Sequence, residues 1–77
     1  MIKADFGDSL RRRRLRKKMT LEELAAESGL SLRFVQSLEA GTKGPSLKTL
    51  FRLSEALEVT PNTLIDTAFK KWRSARK

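Results

Sequence analysis

Four residues in the middle of this chain, Leu32, Arg33, Gln36 and Ser37, carry side chains whose chemistry suits the edges of nucleic-acid bases. A guanidinium such as that of Arg33 offers two donors to guanine O6 and N7, and a carboxamide such as that of Gln36 pairs bidentately with adenine. Leu32 can meet a thymine methyl, and the Ser37 hydroxyl is permissive. The residue types that catalysis needs are scarce. There is no histidine and no cysteine, which removes the commonest general base and metal ligand and the most reactive nucleophile. The expectation is a protein without enzymatic activity, metal or other cofactor. Exposed Arg, Gln and Ser are ordinary on any surface helix, so the weight falls on the elements that present them.

Those elements are two short helices. Thr20 and Glu23 form the S/T-x-x-E capping box of a helix LEELAAES whose inner face is Leu21, Leu24, Ala25 and Ser28. Gly29 stands where a helix end needs the left-handed conformation. Ser31 caps the next helix, in which Leu30 just outside and Val35 and Leu38 inside mark the buried side. With Val35 at zero on a helical wheel, Leu38 falls at about 300°, Gln36 at about 100° and Arg33 at about 160°. Leu32 and Ser37 flank that outward face, and Phe34 borders the core. Gly41 ends the helix. Residues 20–41 therefore have the spacing of a helix-turn-helix, with a short polar face fit for a major groove about 12 Å wide.

Three further helices frame this pair. Asp5 or Asp8 is expected to open the first, where Phe6 and Leu10 lie one turn apart and Leu15 falls at an edge. After the break at Gly41–Pro45, Ser46 caps LKTLFRLSEAL, with Leu47, Leu50, Phe51, Leu53 and Leu57 available to the core. Thr60-Pro61 starts a fifth helix, about residues 61–73, because proline at the first helical position gives up no hydrogen bond. Leu64, Ile65, Ala68, Phe69 and Trp72 draw an apolar stripe along it, and the terminal RSARK is expected to fray. The fold class is all-α: one five-helix domain over residues 1–77, with no repeat.

Seventeen Lys and Arg against nine Asp and Glu give a formal charge of +8 and a pI near 10.7. A polyanionic partner follows. No run of about 18 apolar residues marks a membrane span, the first ten residues lack the apolar region of a signal peptide, and the lack of cysteine agrees with a cytoplasmic setting. Arg11 to Lys18 puts seven cations in eight residues. On a helix they point in all directions, so most form a solvated face. Only Arg16 and Lys17, near the start of the second helix, are read as phosphate contacts, together with Lys43 in the loop. Lys70, Lys71, Arg73, Arg76 and Lys77 are assigned to long-range steering. The first helix presents only Phe6 and Leu10, a face too narrow for a membrane surface.

Residues 10 to 65 resemble the Cro/C1-type, or Xre-type, helix-turn-helix family of bacterial and phage transcription regulators. The resemblance rests on Leu10 and Arg14; on Thr20, Glu22, Glu23, Leu24 and Ala25; on Gly29, Leu30, Ser31, Val35, Leu38, Glu39 and Gly41; and on Pro45-Ser46-Leu47, Leu50, Leu53, Leu57 and Val59. It implies a lambda-repressor-like domain acting as a homodimer, with two third helices in successive major grooves of a partly palindromic double-stranded operator, roughly 34 Å apart. By position it makes Leu32, Arg33, Gln36 and Ser37 base-reading residues. It turns Thr20, Leu21, Ser31, Thr42 and Lys43 toward phosphates, and makes Arg14 and Glu39 a structural ion pair. Leu21 and Leu32 depart from the polar residues common there, which leaves backbone N–H groups to hold the phosphate at Leu21. Leu64, Ile65, Ala68, Phe69 and Trp72 are assigned to a dimer interface, since aromatic residues concentrate at interface centres; the alternative is that this stripe folds back over its own monomer. The leading expectation is a compact regulator such as a phage repressor or a restriction-modification controller. The alternatives are an antitoxin that also grips a toxin, a protein-binding adaptor, and a nonspecific nucleic-acid chaperone.

Overall fold

A computed structural model describes residues 2–75, and among them there are five helices and no strand: α1 (Ile2–Arg16), α2 (Leu21–Ser28), α3 (Leu32–Ala40), α4 (Leu47–Leu57) and α5 (Pro61–Ala75). Helix α1 packs between α5 on one side and α3 on the other, while α4 covers α2. One core joins them. Leu10, Leu24, Val35, Leu38, Leu53 and Leu64 are wholly buried in it, each contributing about 1.5–3 kcal/mol of transfer free energy.

Local side-chain chemistry starts three of the helices. Thr20 Oγ1 accepts from the Glu23 N–H at 3.0 Å while the Thr20 N–H donates to Glu23 Oε1 at 2.8 Å. Ser31 Oγ accepts from Phe34 N–H and Ser46 Oγ from Thr49 N–H, both at 3.1 Å. The first four helices end alike, each with a left-handed residue: Lys18, Gly29, Gly41 and Glu58. In each, the following N–H reaches back to the carbonyl five residues earlier: Met19 to Arg14, Leu30 to Ala25, Thr42 to Ser37 and Val59 to Ser54. This is the Schellman arrangement, and Met19, Leu30 and Val59 pack against the core as its hydrophobic anchors.

Helix α1 differs from its sequence expectation. It begins by Ile2, so neither Asp5 nor Asp8 caps it; Asp5 lies in the first turn and Asp8 bridges to Arg12 at 3.0 Å. The early start follows from close packing. A Cβ at Gly7 would sit 2.3 Å from the Leu38 carbonyl oxygen, and one at Gly41 would sit 2.8 Å from the Ala4 Cα. The two glycines let α1 lie directly against the C-terminal end of α3.

Two further expectations are corrected. Leu47 and Phe51 do not enter the core but are 72% and 53% exposed. The apolar residues of α4 span about 160° of its circumference, too wide for one buried face, so Leu50, Leu53 and Leu57 turn inward and the other two outward. Arg73, Ser74 and Ala75 do not fray but continue α5; Arg76 and Lys77 lie outside the described residues.

Candidate nucleic-acid interface

The outward face of α3 is held from behind. Val35 and Leu38 are fully buried, while Leu32, Arg33 and Gln36 are exposed and Ser37 is half-buried. Arg33 and Gln36 are three residues apart and therefore neighbours on one helix face. Behind the C-terminal end of α3 stands an ion pair. Arg14 Nε donates to Glu39 Oε2 at 2.6 Å, Nη2 donates to Oε1 at 3.0 Å, and Nη1 donates to the Met19 carbonyl at 2.9 Å. Both side chains are at most a tenth exposed. Hydrogen bonding to Glu39 raises the Arg14 pKa above its ordinary value, overcoming the opposing effect of burial, and the charges of Glu39 and Glu22 add to the rise. The fork geometry ties α1 to α3 at a fixed distance and angle.

The surroundings of α3 are unequal in what they can offer a phosphate. At the start of α2, Glu23 and Leu24 N–H groups are bonded to Thr20, so Leu21 and Glu22 supply the two unpaired N–H groups of that first turn. Glu22 and Glu23 beside them weaken the site for an anion. The side chain of Leu21 is half-buried against the core. At the start of α3, Ser31 bonds Phe34 and Val35, leaving Leu32 and Arg33 N–H groups in the corresponding positions. In the following loop, the Thr42 and Lys43 N–H groups donate to the Ser37 carbonyl at 3.1 and 3.4 Å, as does the Thr42 hydroxyl at 3.3 Å. Their donors are spent on closing α3, and the exposed Lys43 ammonium is what the loop has left for a phosphate.

Arg16 and Lys17 do not join this cluster. Arg14 faces α3, and Arg16, two residues on, is rotated by about 200°; it lines a groove between α1 and α5. Lys17 Nζ bridges to Glu58 Oε1 at 2.7 Å, which holds the Glu58 carboxyl below its usual range. The steering lysines are likewise partly neutralised, Lys70 by Asp66 at 3.0 Å and Lys71 by Asp5 at 3.4 Å.

The helix-turn-helix family profile matches residues 10–64. The chain belongs to the Cro/C1-type (Xre) helix-turn-helix family. Across 59 residues this family member is 39% identical to the transcriptional regulator y4dJ of Sinorhizobium fredii, covering 77% of each chain. It is 38% identical over 66 residues to the control protein C.BamHI of Bacillus amyloliquefaciens, covering 84% of this chain and 82% of that one. The solved structure of the restriction-modification controller C.AhdI from Aeromonas hydrophila superposes with a TM-score of 0.79 at 35% identity, covering 80% of this chain and 94% of that one. These relatives are transcription regulators and not enzymes, and DNA-binding regulation is the class of function that this helix-turn-helix protein shares with them.

An apolar groove of about 380 Å³ lies between α5, the N-terminal half of α1 and the start of α4. Ile2, Leu47, Phe69 and Trp72 are exposed along it, and Phe51 is exposed one turn beyond Leu47. Phe69 and Trp72 stack with centroids 6.1 Å apart, and the Arg73 guanidinium covers the Phe69 ring at 5.4 Å. Of the residues assigned to the interface from sequence, Leu64 is wholly buried in the chain's own core, and Ala68, also largely buried, lines the floor of the groove. On the α5 wheel Leu64 and Ala68 fall at about 0° and 40°, whereas Trp72, Ile65 and Phe69 fall at about 80°, 100° and 140°. The stripe is two stripes side by side. Ile2, Leu47 and Phe51 were absent from that interface assignment; the excess width of the apolar arc on α4 was the available signal. No helix of the described residues is long and apolar enough to cross a membrane.

Proposed function

We propose that this protein represses or activates transcription in the cytoplasm as a homodimer on a partly palindromic operator, the α3 helices of two copies entering successive major grooves roughly 34 Å apart. The observation that carries the reading is the α3 face. Arg33 and Gln36 stand exposed and adjacent on a short helix whose opposite side is wholly buried, so each can approach a base edge without disturbing the core. Arg33 reads guanine, Gln36 reads adenine, Leu32 and Ser37 complete the contact, and Lys43 with the first-turn N–H groups of α2 and α3 steadies the backbone.

The apolar groove supports the dimer. A contiguous exposed apolar patch of this kind marks an association surface, and a second copy placed there joins two half-site readers, multiplying a weak single affinity. C.AhdI is a restriction-modification controller and C.BamHI a control protein, and the compact build here suits a regulator of that sort. Selection of bound duplexes from a random library tests the whole reading, with two-fold symmetric sites as the expected outcome. Arg33→Ala should lower affinity for the selected site by about 1–3 kcal/mol and relax one base position. Unsymmetrical sites would refute the dimer, and an unchanged base preference would remove Arg33 from the readout.

A further inference from the structure

A second concavity, polar where the first is apolar, lies between the C-terminal half of α1 and the N-terminal half of α5. It measures about 200 Å³ and is lined by Ser9, Arg12, Arg13, Arg16, Thr63 and Thr67. The pattern is visible in the sequence. Ser9, Arg12, Arg13 and Arg16 stand at i, i+3, i+4 and i+7, the spacing that gives one helical stripe, and Thr63 and Thr67 stand one turn apart on α5. Helix–helix seams usually set apolar stripes against each other. Here guanidinium groups face hydroxyls.

The charges in this groove do not cancel. Arg12 bridges to Asp8 at 3.0 Å, but Arg13 and Arg16 have no carboxylate partner among the described residues. Asp66 shares the adjoining depression with Arg13, Thr63 and Thr67 but bridges to Lys70 at 3.0 Å and not to Arg13. Arg13 is half-buried and Arg16 exposed, and both line the groove. An anion seated between Arg13 and Arg16 supplies the counter-charge that both lack. Two arginines one turn apart present forked donors about 5–6 Å from each other at their Cβ atoms, a spacing that lets both close on one tetrahedral oxyanion, with the Thr67 hydroxyl as a further donor while that of Thr63 is shared with Thr60 at 3.2 Å.

We propose that the α1–α5 groove is a binding site for a phosphate group, separate from the α3 face. Its independence follows from the geometry: α1 stands between α5 and α3, so Arg13 and Arg16 work on the opposite flank of α1 from the Arg14–Glu39 pair. The phosphate is that of a small phosphorylated molecule or of a nucleic-acid backbone passing the flank of the domain.

The test is a titration of the full chain with inorganic phosphate against chloride at matched ionic strength, following the arginine Nε–Hε signals by NMR. The Arg13 and Arg16 signals should shift together and saturate while those of Arg33 and Arg73 move little, and Arg13→Gln should weaken the Arg16 response at least tenfold. Shifts at Arg13 and Arg16 no larger than those at Arg33 and Arg73, or a response indifferent to Arg13→Gln, would overturn the site. Repeating the titration with glycerol phosphate and with a duplex distinguishes the sources, and saturable shifts at Arg13 and Arg16 with either one uphold it.

Discussion

Glu39→Ala should strongly destabilise the packing behind α3. The substitution removes both acceptors of the Arg14 fork, at 2.6 and 3.0 Å, and leaves Arg14, 8% exposed, with the Met19 carbonyl as its remaining bonded partner. Stranding one member of a buried pair costs about 3–5 kcal/mol, and the slight exposure of this one favours the lower figure. A chain of this size has roughly 4–12 kcal/mol of stability in all, from about 0.05–0.15 kcal/mol per residue. A loss of about 3 kcal/mol corresponds to a fall in Tm of roughly 12–24 °C. Urea and thermal unfolding of the wild type, Glu39→Ala, Arg14→Met and the double variant Arg14→Met/Glu39→Ala measure it. The double variant should be far more stable than Glu39→Ala, because no charge is left unpaired. Operator affinity should fall with Glu39→Ala even below its melting range, since α1 no longer clamps the end of α3. A loss under about 1 kcal/mol, the range of an exposed pair, would refute the argument, and so would strict additivity of the two single variants.

Gly7→Ala should destabilise despite the better helix propensity of alanine, worth about 1 kcal/mol. Its Cβ meets the Leu38 and Glu39 carbonyl oxygens at 2.3 and 2.7 Å, so α1 and α3 must separate at a cost of about 1–3 kcal/mol; a raised Tm would show that the seam is loose. Lys18→Gly should stabilise by about 1 kcal/mol, because Lys18 holds φ at +59°, where a side chain is strained; chemical denaturation reads the gain. Glu58→Gln should lower stability slightly near neutrality and not at all in acid. The bridge from Lys17 lowers the Glu58 pKa, so its contribution is present above the unfolded carboxylate range and lost as pH falls through the lowered value; a difference that did not shrink as the pH is lowered would contradict the assignment.

What was legible in the sequence was chemistry that a residue performs on its own neighbours. Thr20, Ser31 and Ser46 start helices because a side-chain oxygen reaches an N–H three residues on, and Gly29 and Gly41 end them because they lack a Cβ. The helix-turn-helix and the polar face of α3 follow from those marks and from the spacing of Val35 and Leu38. Lys18 and Glu58 end helices equally well, yet nothing in their side chains says so. Their left-handed turns are imposed by Met19 and Val59 packing against the core. The same limit governed the surface. Apolar spacing placed Leu47, Phe51, Leu64 and Ala68 on helices, but only the packing of α1 against α5 and of α4 against α2 decided which arc of each helix meets the core and which meets solvent. Arg14, Arg16 and Lys17 belong to one cationic run in sequence. A rotation of about 100° per residue sends Arg14 to Glu39, Arg16 to the groove facing Thr63 and Thr67, and Lys17 to Glu58, neighbours that come from distant parts of the chain. The sequence alone therefore determined the starts of α2, α3 and α4, the ends of α2 and α3 and the polar face of α3, because these depend on residues within a turn of one another. The tertiary structure decided the partners of the charges and the composition of the apolar groove, because these depend on which faces distant helices bury against each other.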